Sequence, residues 1–321
     1  MREKTAPADF AVCHRIIDNI SHVIVGKTDV LELILAALLG EGHVLLQDVP
    51  GVGKTLLAKS LARSIDGVFK RIQFAPDLLP ADVTGFTVYN QKKGEFTFQP
   101  GPVMTNVLLA DEINRTVPRT QASLLECMEE RQITVDGTTM ALPCPFFVIA
   151  TQNPIELEGT FPLPEAQLDR FLVKVSLGYP DHGEEMAILE RFRLEDPFGE
   201  LEPVIAPEQI ISLQRKRRQI QVAPLVIDYI ASIAAATRGH ASLLYGASPR
   251  ASLGLMRTAQ ALAALRNRDY VLPDDVKHLV VPVLAHRVIL QMKERLRGAT
   301  AESVLKDIID RTPVPAPVDG A

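Results

Sequence analysis

The fold of this 321-residue chain is decided by residues 43–55, an apolar run followed by Asp48-Val49-Pro50-Gly51-Val52-Gly53-Lys54-Thr55. Residues 43–47 have the length and composition of a short buried strand, and residues 55–65 continue with a helical pattern. A glycine-rich turn between a strand and a helix lets backbone N–H groups converge on phosphate oxygens, and the helix N-terminus adds partial positive charge. The stretch therefore predicts a phosphate-binding loop.

The residue types around this loop match the pattern G-x-x-x-x-G-K-[ST], in which the lysine reaches the β- and γ-phosphates and the hydroxyl ligates Mg²⁺. Asp48 replaces the first glycine of that pattern. A chance Gly-Lys-Thr at a turn is the alternative, and the strand–loop–helix context argues against it. The expected nucleotide-binding residues here are Pro50, Gly51, Val52, Gly53, Lys54, Thr55 and Leu56.

A pair of carboxylates follows the apolar run at residues 107–110, namely Asp111 and Glu112. Two adjacent carboxylates at the end of a buried strand are unfavourable unless they face a ligand or solvent. Asp111 is suited to hold Mg²⁺ through water, and Glu112 to orient or deprotonate an attacking water. Two solvated loop acids are the alternative, which weakens when a phosphate loop precedes them in a chain of this pattern.

Short apolar runs alternate with helical patterns in the first half of the chain. The runs at residues 69–74, 107–110, 146–151 and 172–175 are typical of buried parallel strands. Asp136-Gly137 between alternating residues predicts a hairpin over residues 132–142, and residues 88–98 predict a second hairpin with Lys93-Gly94 in its turn. We therefore expect an α/β fold with a parallel sheet.

The pattern changes after residues 178–180 and becomes almost entirely helical as far as residue 306. Prolines at the predicted helix starts support this, since proline suits the first helical position. These are Pro207, Pro224, Pro249 and Pro273. We expect an α/β unit at residues 1–179, a small all-helical unit at 180–310 and a proline-rich tail at 311–321.

Composition restricts the class of protein. With 47% hydrophobic and 23% charged residues the chain can bury a core, and its net charge of −5 argues against a surface built to hold nucleic acid. No apolar run reaches the ~20 residues of a membrane-spanning helix, and no secretory signal is visible. The cysteines Cys13, Cys127 and Cys144 fit reduced core thiols, so we expect a cytoplasmic protein. The basic run at residues 215–218 is expected to be a solvated helix face rather than a nucleic-acid site.

Further strings carry a resemblance to a known family. They are Asp111-Glu112-Ile113-Asn114-Arg115, Ala150-Thr151-Gln152-Asn153-Pro154, and Glu158-Gly159-Thr160-Phe161-Pro162-Leu163-Pro164-Glu165-Ala166-Gln167-Leu168-Asp169-Arg170-Phe171. With the phosphate loop, they make the chain resemble the AAA+ ATPases and, within them, the MoxR family. Asp48 is ordinary in that family. The resemblance implies a P-loop NTPase domain followed by a helical lid, with ATP and Mg²⁺ as ligands.

The resemblance also implies roles for single residues. Asn153 would be the polar sensor residue beside the γ-phosphate, with a turn-forming Asn-Pro as the alternative. Arg170 would be an arginine finger for the neighbouring subunit's nucleotide, worth ~10³–10⁵ in rate, with a surface ion pair as the alternative. Val25 and Gly26 would contact adenine, although Lys27 stands where relatives usually have glutamine. Arg115 would also face the neighbour.

Arg250 would be the second sensor arginine, carried by the lid. Ser248 and Pro249 predict a helix start there, and Met256, Ala259 and Ala263 repeat at the spacing of a buried face. A cation in the first turn of a helix opposes the helix dipole unless an anion compensates it. A nucleotide phosphate would serve, as would a carboxylate.

In function, the resemblance implies an ATP hydrolase that forms a ring of copies, a hexamer in expectation. ATP would lie between the α/β unit and the lid, and hydrolysis would drive chaperone-like remodelling, maturation or metal-cofactor insertion in a partner such as a von Willebrand factor A domain. The insert at residues 74–102 and the hairpin at 132–142 would face the pore or partners. The alternatives are a DNA-handling ring motor, a magnesium-chelatase-like motor subunit and a nucleotide-gated scaffold.

Overall fold

Five of the apolar runs form one parallel sheet in the computed structural model, which describes residues 7–92, 94–153, 159–194 and 196–314. In chain order the strands are β1 (Val44–Gln47), β2 (Phe69–Gln73), β3 (Gly85–Asn90), β4 (Glu95–Pro100), β5 (Val107–Asp111), β6 (Gln132–Val135), β7 (Thr138–Ala141), β8 (Phe147–Gln152), β9 (Val173–Val175), β10 (Leu243–Tyr245) and β11 (Ile289–Leu290). The order across the sheet is β2-β5-β8-β1-β9. The predicted α/β fold with a parallel sheet is confirmed.

Helices occupy most of the remaining described chain. They are α1 (Ala11–Ser21), α2 (Thr28–Leu39), α3 (Lys54–Ser64), α4 (Pro80–Thr84), α5 (Pro118–Glu130), α6 (Glu165–Leu168), α7 (His182–Arg191), α8 (Pro207–Arg217), α9 (Pro224–Gly239), α10 (Pro249–Leu265), α11 (Pro273–Leu284), α12 (Met292–Leu296) and α13 (Ala301–Arg311). Four of them, α8 to α11, begin at the predicted prolines. Short 3₁₀ turns lie at Pro7–Phe10, Ile113–Arg115 and Pro197–Glu200.

Alternate residues of the sheet face two separate hydrophobic cores, as the period of a strand requires. Leu109 and Ile149 face a core built with α1, α2, α3 and the carboxyl-terminal helices. Leu108 and Val148 face a second core built with α5. The carboxyl-terminal helices therefore share a core with one face of the sheet, and α10 packs closely on α2.

Both predicted hairpins are present. Strands β6 and β7 pair across Asp136 and Gly137, whose φ values of 50° and 78° are those of a tight hairpin turn. Strands β3 and β4 pair antiparallel, and Lys93 of their connection lies outside the described residues. Residues 1–6, 154–158 and 315–321 also lie outside them, so Pro154, Glu158 and most of the predicted tail are not described.

Three expectations from the sequence are wrong. The carboxyl-terminal unit is not entirely helical, because β10 and β11 form a two-stranded antiparallel sheet. The basic run is not simply solvated: the Arg217 side chain is 4% exposed and pairs with Glu41. Cys144 is exposed, whereas Cys13 and Cys127 are buried free thiols. None of the described helices has the length and apolarity needed to cross a membrane.

A buried histidine joins the sheet to α5 at the start of β1. The Nδ1 atom of His43 accepts a hydrogen bond from the Val148 N–H at 3.0 Å, so Nε2 donates to the Met128 carbonyl at 3.1 Å. Burial lowers the pKa of His43 to about 3, and the nearby Arg131 guanidinium acts in the same direction. The imidazole is therefore neutral in the folded protein at every pH near neutrality.

This shift predicts a pH dependence of stability. Between pH 6.5 and 3 the unfolded chain binds a proton at residue 43 that the folded chain does not, so stability falls as the pH falls through that range. In His43→Asn, whose side-chain oxygen can still accept from Val148, the slope of unfolding free energy against pH should decrease by about 1.4 kcal/mol per unit near pH 4–5. Urea denaturation from pH 7.5 to 4 measures it, with exposed His182→Asn as the control. An unchanged slope in His43→Asn would contradict a neutral buried imidazole.

Candidate functional site

The phosphate loop joins β1 to α3 in the predicted strand–loop–helix arrangement. Gly51 and Gly53 have φ values of 87° and 91°, a left-handed conformation that favours glycine. A Cβ atom built on either glycine would meet no atom within 4 Å, so open space lies in front of the loop. Lys54 and Thr55 occupy the first turn of α3, and the Lys54 Nζ donates to the Asp48 carbonyl at 3.1 Å. A loop of this form with a lysine and a hydroxyl fits a nucleotide phosphate chain.

Asp48, the departure from the general motif, has a structural explanation. Its buried carboxylate accepts hydrogen bonds from the Ser176 hydroxyl at 2.6 Å, the Leu177 N–H at 2.7 Å and the Gly178 N–H at 3.0 Å. A glycine could make none of these bonds. The carboxylate therefore ties the start of the phosphate loop to the segment that leaves β9 for the helical unit.

The turn at Val25 and Gly26 lies on the flank of the same segment. Gly26 has a φ of 73°, and an added Cβ would lie 2.0 Å from the Glu184 Oε1. Lys27 pairs with Glu184 at 2.8 Å and donates to the Tyr179 carbonyl at 3.3 Å. Lys27, the departure from the family's usual glutamine, thus joins the start of α2 to the start of α7. The predicted adenine residues and the phosphate loop are linked through residues 176–184.

The acidic pair lies at the carboxyl end of β5, held in place by one hydroxyl from β8. The Thr151 Oγ1 donates to the Asp111 Oδ1 at 2.6 Å and accepts from the Glu112 N–H at 2.8 Å. Glu112 has a φ of 57°, unusual for a residue with a side chain and found at functional sites. Asn153 follows β8 and is buried. Because β8 lies between β5 and β1, these groups and the phosphate loop share one edge of the sheet.

Three further residues of this edge escaped sequence reasoning. Arg71 donates to the Asp111 Oδ2 at 2.6 Å, and Gln73 donates to the Glu112 Oε2 at 2.6 Å. Arg115 also donates to that Glu112 oxygen, at 3.0 Å. The signal for Arg71 and Gln73 was their polarity at alternate positions of β2, next to the β5 acids. Both carboxylates therefore have cationic or amide partners that a metal ion or a reacting water would have to displace.

Arg170 and Arg250 lie at the opposite edge of the sheet. Arg170 precedes β9, and the Leu172 N–H donates to the His43 carbonyl, where β1 begins. The Arg170 Nε and the Arg250 Nη2 lie 3.8 Å and 2.5 Å from the same Glu129 Oε2, near the carboxyl end of α5. This edge is the amino-terminal end of β1, whereas the phosphate loop follows its carboxyl end.

This position corrects the expectation that ATP lies between the sheet and the Arg250 helix of one chain. Arg250 is compensated by a carboxylate in the same chain, which was the alternative to a phosphate. The helix start is as predicted: the Ser248 hydroxyl accepts from the Ala251 N–H, and Pro249 is the first helical residue. Arg250 therefore cannot contact the phosphate loop of its own chain in this arrangement.

The two arginines line a cleft of about 760 Å³ that is rich in cationic groups. Its walls come from the start of β1, the end of α5 and the outer face of α10. Charged residues that line it include Glu129, Arg131, Asp169, Arg170, Arg250, Arg257 and Arg287. With arginines in excess over carboxylates, the cleft is suited to an anion such as a phosphate chain.

Comparison with known proteins agrees with this site. The chain matches the model of the ATPase family associated with various cellular activities (AAA) over residues 43–173 and that of the AAA lid domain over residues 235–308. It is 53% identical to the uncharacterized protein YeaC of Bacillus subtilis over 93% of both chains. It is 41% identical to the chaperone MoxR1 of Mycobacterium tuberculosis, covering 96% of this chain and 84% of that one. The crystal structure of a candidate ATPase from Cytophaga hutchinsonii has a TM-score of 0.91 at 38% identity, covering 96% of both chains.

The parallel sheet, the phosphate loop, the acidic pair and the lid define an AAA+ ATPase, an enzyme that hydrolyses ATP. Relatives named MoxR occur in Paracoccus denitrificans, at 31% identity, and Methylorubrum extorquens, at 30%. This chain belongs to the MoxR family of AAA+ ATPases.

The contacts of Asp48 predict its substitution effects. Asp48→Asn places an amide where two backbone N–H groups donate, and Asp48→Gly restores the general motif but loses all three bonds. Each should lower the free energy of unfolding by about 2–4 kcal/mol, since a hydrogen bond to a charged group contributes about 1.5–3 kcal/mol. Each should also raise the KM for ATP, because the loop loses its anchor. Urea denaturation and steady-state ATPase assays measure these effects.

The control is Asp136→Asn at the exposed hairpin turn, which should change stability by no more than about 0.5 kcal/mol. A wild-type stability and KM in Asp48→Gly would refute the anchoring role of Asp48.

Proposed function

We propose that this MoxR-type ATPase works as a ring of copies in which each ATP site is completed by the next chain, and that ATP turnover remodels a client protein. One observation carries the proposal: Arg170 and Arg250 share an anion partner in a cationic cleft at the sheet edge opposite the phosphate loop. Glu129 is eleven residues along α5 from Pro118, about 16 Å at 1.5 Å per residue. An arginine side chain cannot span that distance, so a second copy has to supply it.

The phosphate loop would hold ATP within one chain. The open space before Gly51 and Gly53 admits the phosphates, Lys54 would contact the β- and γ-phosphates, and Pro50, Val52 and Leu56 would complete the loop. The oxygen donors of Thr55 and Asp111 fit Mg²⁺, a hard cation that prefers oxygen ligands. When bound, Mg²⁺ would neutralise phosphate charge. Val25 and Gly26 would contact the adenine, on the flank formed with residues 176–184.

Glu112 would orient the attacking water and accept its proton, with Asn153 beside it at the end of β8. In the structure the Glu112 carboxylate accepts hydrogen bonds from Gln73 and Arg115. To act as a base it has to exchange one of these donors for the water. Arg115 is close enough to the edge to respond to a neighbouring chain, so ring contacts could release Glu112.

Arg170 and Arg250 of the neighbouring chain would then stabilise the negative charge that develops on the transferred phosphoryl group. In the isolated chain Glu129 neutralises both guanidinium groups, and the phosphates of the neighbour's ATP would compete with that carboxylate. Loss of the γ-phosphate would weaken the contact with Arg250. Because Arg250 belongs to the lid, this change would move the lid relative to the sheet and transmit force to a client.

A protein client is favoured by the exposed hairpin of β3 and β4. Its aromatic side chains Tyr89 and Phe96 contact each other at 5.2 Å between ring centroids, and Phe96 is 74% exposed. Exposed apolar surface of this kind marks contact with other proteins. The relative named a chaperone supports the same reading. A von Willebrand factor A domain, metal-cofactor insertion and a hexameric ring remain parts of this proposal, as do the cytoplasm and a domain boundary near residue 179.

A DNA-handling motor is the second candidate, and the structure offers it less support. The basic run at residues 215–218 is occupied by intramolecular contacts, since Lys216 pairs with Asp9 and Arg217 and Arg218 pair with Glu41. ATPase stimulation by DNA that disappears as salt is raised would favour this alternative.

The shared site is tested by mixing two inactive variants. Glu112→Gln keeps Arg170 but should not hydrolyse ATP, and Arg170→Ala keeps Glu112 but should lose about a thousandfold or more in kcat. A mixture should regain activity, because some Arg170→Ala sites then face an intact Arg170 of a Glu112→Gln chain. The measurement is kcat against mixing ratio at fixed total protein. Substantial activity in Arg170→Ala alone, or none in any mixture, would contradict a site shared between chains.

The client is sought with Glu112→Gln held in ATP, which should retain a partner protein that is released when ATP is removed. Lys54→Ala is the matched control, because it lacks the phosphate-binding ammonium. A partner bound equally by both variants would count against ATP-driven remodelling.

A further inference from the structure

A buried arginine of the lid contacts the backbone on both sides of Arg170. Arg287 follows α11, and its side chain is 4% exposed. Its Nη2 donates to the Phe171 carbonyl at 2.7 Å and to the Asp169 carbonyl at 3.3 Å. Its Nε lies 3.1 Å from the Asp169 Oδ1. One guanidinium therefore holds the two peptide carbonyls that flank the finger residue, and also the carboxylate of one flanking residue.

The neighbouring residues are adapted to this guanidinium. Gly254 on α10 leaves room for it, since a Cβ there would lie 2.7 Å from the Arg287 Nη1. His286 adds a second contact from the lid, with its Nε2 2.9 Å from the Phe171 carbonyl. Burial lowers the pKa of His286 to about 3, so this imidazole is neutral and donates from Nε2. Two consecutive lid residues thus contact the segment at 169–171.

Burial of a guanidinium is unfavourable unless its donors are used. Burial lowers the pKa of Arg287 to about 10, so the group is still charged at neutral pH. Its Nη1 has no hydrogen-bond partner within the described part of the chain and borders the cleft that contains Arg170 and Arg250. A buried cation that serves only packing could be replaced by an apolar side chain at little loss of stability. Its contacts instead concentrate on the Arg170 segment.

We propose that Arg287 is a positioning residue for Arg170: it fixes the backbone at residues 169–171 so that the Arg170 guanidinium points toward the neighbouring chain's nucleotide. This role rests on the proposed function, in which Arg170 acts on the next chain. Since Arg287 belongs to the lid, the direction of Arg170 depends on the position of the lid. The nucleotide state of one chain, felt by its lid, would then be passed to the site that its Arg170 serves.

A purely structural role is the competing explanation, and Arg217 supplies a control for it. Arg217 is equally buried at 4% exposed, and its Nε donates to the Leu39 carbonyl at the end of α2. It therefore ties the carboxyl-terminal helices to the amino-terminal unit without contacting residues 169–171. Arg217→Met should lower thermal stability but keep kcat within about threefold, whereas an effect through Arg170 should appear only with Arg287 variants.

The experiment combines kinetics with the mixing assay. Arg287→Met should lower kcat by about tenfold or more while KM changes by less than about threefold, because its own phosphate loop is intact. Mixed with Glu112→Gln it should regain activity, since the partner chain supplies a well-positioned Arg170. Mixed with Arg170→Ala it should regain none, because both variants lack a working finger. Arg287→Lys, which keeps the charge but cannot bridge both carbonyls, should fall between Arg287→Met and the wild type.

Each outcome decides the matter. Recovery with Arg170→Ala but not with Glu112→Gln would show that Arg287 serves the site of its own chain, and would overturn the proposal. No recovery with either partner in both Arg287→Met and Arg287→Lys would show a structural role and overturn it as well. If Glu112→Gln plus Arg170→Ala regains no activity, the shared site itself is wrong and the role of Arg287 falls with it.

Discussion

The parallel alignment of β1, β5 and β8 is the constraint on which the rest of this molecule depends. Strands that run in one direction end at one edge, and here they deliver the phosphate loop, the Asp111–Glu112 pair and Asn153 to the same place. The Thr151 hydroxyl fixes the relation between two of these strand ends by bonding to both members of the acidic pair. The other edge of the same sheet carries Arg170. A single chain thus has two halves of a catalytic site facing away from each other.

The loop and the lid are linked by polar contacts that span long sequence distances. Asp48 binds the segment leaving β9, Lys27 binds Glu184 at the start of α7, and Arg287 binds the carbonyls beside Arg170. The lid also shares a hydrophobic core with one face of the sheet. A change at the nucleotide can therefore reach both the lid and the finger through direct contacts, and no independent motion of distant parts has to be assumed.

Local patterns predicted the strands and helices well, because each depends on neighbours in sequence. The parallel strands agree with the predicted runs to within one residue at each end, and α8 to α11 begin at the predicted prolines. Contacts between distant residues were not predictable in the same way. Glu41 is far from Arg217 in sequence, and nothing in the pattern of either segment shows that they meet. The partners of Glu112 were missed for the same reason, since Gln73 reaches it only across neighbouring strands.

The sequence alone determined the class of protein and the chemistry at the carboxyl edge of the sheet. Loop, acid pair and strand order follow from short motifs whose residues are close in the chain. The tertiary structure alone decided the direction in which Arg250 faces, which groups hold Glu112, and that Arg287 reaches the Arg170 backbone. The physical reason is that each of these depends on how the lid packs against the sheet, and that packing sums many weak contacts between segments separated by more than a hundred residues.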